Sequence, residues 1–443
     1  MLTSADNSGS GRLPRELGVF GATLVGLGAM VGTGVFVSIG VAAGAAGPAV
    51  VLAIALAALV AACNASSSAQ LAASHAVSGG TYEYGYRYLN HWLGFAAGWM
   101  FLCAKSASAA TAALGFAGYF GRLIGLDPAA AKTALAVGAV VLLTALVLLG
   151  IRRSSRMNAL IVSVTLASLA LFVAAGLPNL LDEGGANLLP LLPAAGEEGL
   201  RGFLYGTALM FVAFTGYARI ATLGEEVKEP RKSIPRAIVV TLLLTAALYV
   251  SVAAVALGAM GAERLAAVTA SAATPLEAAA RGLGLPRLAV VVAVGSVTAM
   301  LGVLLNLILG LSRVALAMGR QGDLPPAFAR LTRGDVPSAA VLGVGVVVAL
   351  LASTGDVETT WAFSAFTVLI YYAITNLAAL RLPARERLYP RSIAVAGFAA
   401  CLFLAFWVPP GTWLTGCALL AVGLGWHVLA RRRWGKGSRR MPP

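Results

Sequence analysis

Charge is scarce in this chain: Asp, Glu, Lys and Arg make up 11% of its 443 residues. A soluble globular domain carries about 25%, so a soluble enzyme or binding domain is excluded. No polar stretch is long enough to fold as a separate soluble domain. Cysteine and histidine are also few, at 4 and 3. Cys63, Cys103, Cys401 and Cys417 lie far apart within apolar runs and lack metal-ligand spacing, which reads as small core side chains. His75, His91 and His427 are scattered, each near an expected membrane surface. This argues against a metal site or catalytic triad, and so against an intramembrane enzyme. No cofactor is expected. Met1 to Pro14 is polar and the apolar run after it is too long for a signal peptide, so none is expected.

What the chain has instead is apolar runs, with 59% of its residues hydrophobic. A membrane-spanning helix needs about 20 such residues. The expected spans are 17–46, 48–73, 92–120, 133–151, 157–178, 202–222, 237–260, 287–317, 337–354, 359–380, 393–407 and 412–430, twelve in all. This alternation places 24 of the 32 Lys and Arg on one side, 6 on the other and 2 within spans; the acids divide 9 and 9. Such asymmetry marks the cytoplasmic side of a membrane protein. The net charge of +14 is therefore topology and attraction to anionic lipid headgroups, not nucleic-acid binding. The expected location is the cell (inner) membrane, multi-pass, with both termini cytoplasmic.

Two spans contain features a plain helix would not choose. The run Gly28-Ala-Met-Val-Gly32-Thr33-Gly34-Val35-Phe36 interrupts the first span. Each glycine costs a helix interior roughly 1 kcal/mol relative to alanine. Freed backbone groups are tolerated in lipid only where protein or a lined cavity satisfies them. The run therefore reads as a break at mid-depth whose N–H groups face an anion; a small-residue packing stripe is the plainer alternative. Span 6 carries Phe211-Val212-Ala213-Phe214-Thr215-Gly216-Tyr217, with Arg219 close behind. Spans 1 and 6 each begin a set of five. Interrupted spans at matching places in two halves point to a transporter's binding site. An odd number of spans per set makes the second set enter in the opposite sense. The expected organisation is a core over 17–380, with inverted repeats 17–178 and 202–380, two accessory helices within 393–430, and cytoplasmic tails 1–16 and 431–443. A channel would need a continuous polar lining, whereas polarity here clusters at the two breaks.

These residues resemble the amino acid–polyamine–organocation transporters, closest to the bacterial and cationic amino acid transporter branch. Gly32-Thr33-Gly34-Val35-Phe36 is similar to that family's first-helix signature, and Val77-Ser78-Gly79-Gly80-Thr81-Tyr82 to its motif after the second helix. Phe214-Thr215-Gly216-Tyr217, followed by Gly224-Glu225-Glu226-Val227-Lys228-Glu229-Pro230, resembles its sixth-helix motif. Ser312-Arg313 with Met318-Gly-Arg320-Gln-Gly322-Asp323-Leu324-Pro325 resembles its eighth-helix ending. The resemblance implies an all-α membrane fold of LeuT type, a five-plus-five inverted repeat with two further helices, working by alternating access. It places a substrate carboxylate on the amides of Thr33, Gly34 and Val35, beside Gly32. It places the ammonium on carbonyls around Phe211, Val212, Ala213 and Thr215, with Phe214 and Gly216 adjoining. Helix termini carrying roughly half a charge of opposite sign suit such a zwitterion independently.

The sequence departs from the family pattern in three places. The fifth-helix lysine of the proton-coupled branch is replaced by Thr165, seven residues after Asn158. Span 3 carries Lys105, with no Asp or Glu within any span to pair with it. A lysine at a helix centre costs about 2.5–3.5 kcal/mol on insertion scales, so Lys105 reads as a proton carrier, a stand-in for a bound cation, or a repellent of cationic substrates. Snorkelling to the interface is the plainer alternative. Lys105 and Thr165 are the coupling candidates, and a threonine bonded to its own helix is the plainer view of Thr165. Finally, Gln70 and Ala218 stand where acidic residues are usual. Without a membrane carboxylate, neutral amino acids are the expected substrates, or an anionic one if Lys105 faces the site. Expected partners are an amino acid, a proton or sodium ion, and membrane lipid. Glu225 and Glu226 are candidates for a cytoplasmic gate, and Asp323 for the start of a short interfacial helix.

Overall fold

A computed structural model of the protein describes residues 17–75, 79–126, 128–150, 155–182, 184–221, 227–332 and 336–434. Among these residues no strand exceeds the isolated bridges Leu17–Val227 and Thr332–Val336. The chain is an all-α membrane protein, as its composition requires. Gly224, Glu225, Glu226, Val77 and Ser78 lie outside the described residues, so the expected gate acids are not located.

The order begins with α1 (Val19–Met30), a π-helical turn at Gly34–Ser38, α2 (Ile39–Ala46) and α3 (Val50–Ser74). Next come α4 (Thr81–Tyr88), α5 (His91–Leu123), α6 (Pro128–Leu148), α7 (Ser155–Asp182), α8 (Glu197–Phe214) and α9 (Ala218–Ala221). The second half comprises α10 (Pro230–Met260), α11 (Ala262–Ala272), α12 (Pro275–Gly282), α13 (Pro286–Arg320), α14 (Ser338–Thr354), α15 (Val357–Leu380), α16 (Arg391–Ala405) and α17 (Pro410–Trp434).

Among the described residues, 9 stretches are long and apolar enough to cross a membrane. The difference from the twelve expected spans has two causes. The first span is cut, and its second half runs into the next helix as one apolar stretch, Gly34–Ser74. That stretch still turns back, because Gly47 takes a left-handed φ of 60° just before Pro48, a conformation open to glycine and costly for other residues. In addition, α14 and α16 are apolar but only 17 and 15 residues long. The structure also adds α11 and α12, where the sequence reading placed only a loop. Both are short and charged, with Glu263 and Arg264 in one and Glu277 and Arg281 in the other, so no long apolar run signals them.

The longest buried element is α5, packed against α4, α6, α13 and α15. From Ala104 to Ala113 it is built of alanine, serine and threonine with Lys105, and all of these are buried. Small side chains let helices approach closely where lipid supplies no hydrophobic drive. The interrupted pair lies alongside: α1 packs on α7 and α10, and α8 on α2, α3 and α15. By contrast, α6 and α10 expose Val141, Leu142, Val239 and Leu243, as lipid-facing surfaces do.

Candidate functional site

The first break falls at Val31–Gly32. The α1 helix ends with Val31 in an extended conformation, φ −79° and ψ 100°. The chain re-enters helix at Thr33, and the π-turn follows. Val35 and Phe36 both donate their amides to Gly32 O at 3.1 Å. The Val35 amide, expected to meet a carboxylate, is therefore already bonded within the tightened first turn. Thr33 and Gly34 begin the new segment, where no preceding turn provides acceptors. The Thr33 hydroxyl is buried without a partner.

The second break falls where expected. The α8 helix stops at Phe214, a single 3₁₀ turn covers Thr215–Tyr217, and α9 resumes. The two breaks meet backbone to backbone. A Cβ on Gly34 would lie 2.5 Å from Ala213 Cβ, and one on Gly216 would lie 2.5 Å from Ala29 O. The glycines thus serve both readings of the sequence, since they permit the interruption and the close packing. Between the breaks stands Tyr249 of α10, whose hydroxyl donates to Met30 O at 2.7 Å and lies 3.3 Å from Ala213 O. Tyr372 of α15 donates to Thr215 O at 3.2 Å, and Trp361 donates to Leu209 O at 3.0 Å. The two tyrosines satisfy carbonyls that broken helices leave without intrahelical partners, whereas Trp361 adds a donor to a carbonyl within α8.

Lys105 does not snorkel. It is 9% exposed, and its Nζ donates to Thr215 Oγ1 at 2.8 Å. The Thr215 hydroxyl in turn donates a hydrogen bond to Val212 O at 2.7 Å. An ammonium is thereby set against the carbonyl end of α8, the partially negative pole of that helix.

A cavity of about 310 Å³ opens beside these groups. Its wall includes Thr33 and Gly34 from the first break, Val212, Ala213, Thr215 and Gly216 from the second, and Lys105. Four expected site residues are off the wall. Gly32 packs against Val303, Val35 is wholly buried, Phe211 lies against Tyr372, and Phe214 lies against Tyr249. Thr165 is also absent from the wall, and its hydroxyl donates to Ile161 O at 2.7 Å within its own helix. The cavity extends to Gly79, Tyr82 and Arg313, on the side of the basic loops. A separate recess on the other side is lined by Glu198, Arg201, Asp356 and Glu358, and the two share no lining residue.

At the mouth of the cavity the structure refines two expectations. The short helix expected after Asp323 is present as a 3₁₀ turn at Pro326–Ala329, but Asp323 itself does not lie at the surface. It is fully buried and accepts from Tyr82 at 2.7 Å and Tyr86 at 2.6 Å through one carboxylate oxygen. Its other oxygen lies 2.9 Å from His427 Nδ1, close but poorly aligned as a hydrogen bond. Nor are the histidines scattered in space: the rings of His91 and His427 lie 5.7 Å apart. Burial first, and the Asp323 carboxylate next, push both tyrosine phenols upward, so they remain donors. The same two causes raise the Glu83 carboxyl. This cluster ties α4, the segment after α13, and α17 together beside the cavity. Among the described residues, no group of three or more His, Cys, Asp or Glu is placed to hold a metal.

Comparison with known proteins agrees with this architecture. A family model described as amino acid permease matches residues 21–438. An uncharacterized transporter of Mycobacterium tuberculosis is 43% identical over 420 residues, covering 95% of this chain and 92% of the relative. The branched-chain amino acid permease of Bacillus subtilis is 29% identical, with 96% and 92% coverage. A vacuolar cationic amino acid transporter of Arabidopsis thaliana is 28% identical over 79% of this chain and 60% of that protein.

Proposed function

We propose, from the premise that this chain belongs to the amino acid permease family, that it carries amino acids across the cell membrane by alternating access as a secondary active transporter. Residues 17–178 and 202–380 form the two inverted repeats, and 393–430 supplies two accessory helices. Both termini lie in the cytoplasm, in keeping with the basic loops. The amides of Thr33 and Gly34 take the substrate carboxylate. The carbonyl end of α8, around Val212, Ala213 and Thr215, takes the ammonium.

The observation that carries this reading is the meeting of both breaks on one cavity wall. The cavity reaches the basic side, and Gly40 of α2 is packed against Thr269 of α11 toward the acidic side, so the conformation corresponds to one open to the cytoplasm. A cationic side chain is disfavoured, because Lys105 is on the wall and no described lining residue is acidic. Lys105 also carries the coupling proton. Thr165, bonded to its own helix, has no part in coupling.

The test is uptake of twenty radiolabelled amino acids into proteoliposomes, with a proton or sodium gradient imposed. Accumulation of at least one amino acid driven by the proton gradient is expected. Uptake driven by sodium alone would remove the proton assignment, and no uptake of any amino acid would remove the function.

A further inference from the structure

Lys105 brings a positive charge into the substrate cavity, and the described protein around it supplies none of opposite sign. An ammonium has three N–H donors, and Nζ has one hydrogen-bond acceptor, Thr215 Oγ1. That oxygen is a neutral hydroxyl already committed to Val212 O. The described lining contains no Asp or Glu. The buried carboxylate of Asp323 is already engaged by the hydroxyls of Tyr82 and Tyr86 and lies beside His427. Glu277 is likewise paired, with Arg281. A buried charge without a counter-charge is among the costliest arrangements a protein can hold. While Lys105 is protonated, its counter-charge must come from what enters the cavity.

A neutral amino acid brings one carboxylate and one ammonium. Bound between the two breaks it has no net charge, and the closed site would still carry the charge of Lys105. A substrate with a second negative group gives Lys105 its counter-charge and lowers a positive surplus to which Arg219 and Arg313 on the same wall add. We infer that the transported amino acid carries a second, side-chain anion, and that Lys105 in the third expected span binds it, so that the substrate class is acidic amino acids. This rests on the proposed amino acid transport and narrows it. The selectivity is also repulsive: a cationic side chain would place two like charges in one low-dielectric cavity.

The experiment compares near-isosteric pairs, L-glutamate with L-glutamine and L-aspartate with L-asparagine, with L-leucine as a further probe, on the wild-type protein in proteoliposomes. An acid should half-saturate uptake at a concentration at least about tenfold below its amide. In substrate exchange without an imposed proton gradient, Lys105→Met should erase that gap, and Lys105→Arg should keep most of it. Equal uptake of acids and amides, or preference for the amides or leucine, would overturn the inference while leaving amino acid transport intact. A neutral preference that requires chloride would also overturn it, by giving the counter-charge to chloride. Failure to take up any amino acid would instead remove the underlying function. Should Lys105→Met not fold, the acid-to-amide ratio of the wild type decides alone.

Discussion

The two helix breaks are made in different ways. The first is made by omission. Gly32 and Gly34 carry no side chain, so Val303 and Ala213 pack closely against the start of the second segment. The second is made by addition. Thr215 turns its hydroxyl onto Val212 O, Lys105 donates to Thr215, and Tyr372 donates to Thr215 O. An N–H end meant for an anion gains from being left bare, because any nearby acceptor would compete with the ligand. A C=O end in a membrane must be satisfied at all times, and here the protein's own donors share that work. The breaks are therefore not equivalent: the second already faces one ammonium, that of Lys105.

Gly34→Leu attacks the bare break and should have the largest effect. Its side chain would begin 2.5 Å from Ala213 Cβ, pushing the breaks apart. Uptake should be lost while the protein remains inserted and monodisperse by size exclusion; unchanged uptake would show that the breaks need not touch. Gly216→Ala should come next. Its Cβ would meet Ala29 O at 2.5 Å, and backbone yields less readily than a side chain. A fall of about tenfold in uptake, or roughly 1.4 kcal/mol, is expected.

Tyr249→Phe separates support from binding. It removes the hydroxyl between Met30 O and Ala213 O, leaving buried acceptors short at about 1–3 kcal/mol. A melting temperature lower by a few degrees is expected, with a smaller loss of uptake than in either glycine variant. A stability unchanged from wild type would mean that other donors hold these carbonyls. Thr165→Val should have the smallest effect, uptake staying within about twofold, because its hydroxyl only bonds Ile161 O and such back-bonding is worth little. A larger loss would return Thr165 to the coupling machinery.

Much of this was legible in the sequence, for physical reasons that vary by residue. The breaks were visible because glycine inside an apolar run has few explanations. Lys105 was visible because charge inside a span has fewer still. Its hydrogen bond to Thr215 was not, because residues 110 positions apart meet only through the packing of α5 on its neighbours. Tyr249 and Tyr372 escaped notice because a tyrosine in an apolar span looks like any packing aromatic until its hydroxyl is seen on a carbonyl. The Asp323–His427 contact joins segments that show no shared periodicity. Phe214, expected to adjoin the ammonium end of the site, is packed behind it, against Tyr249. Side-chain direction in a 3₁₀ turn is not given by residue type.

The most direct measurement is a structure of the protein determined with its transported amino acid bound. The expected result is a substrate carboxylate within hydrogen-bond distance of the Thr33 and Gly34 amides, with its ammonium at the carbonyl end of α8. A substrate bound elsewhere in the cavity, or α1 and α8 running on uninterrupted around it, would contradict a site made from two broken helices.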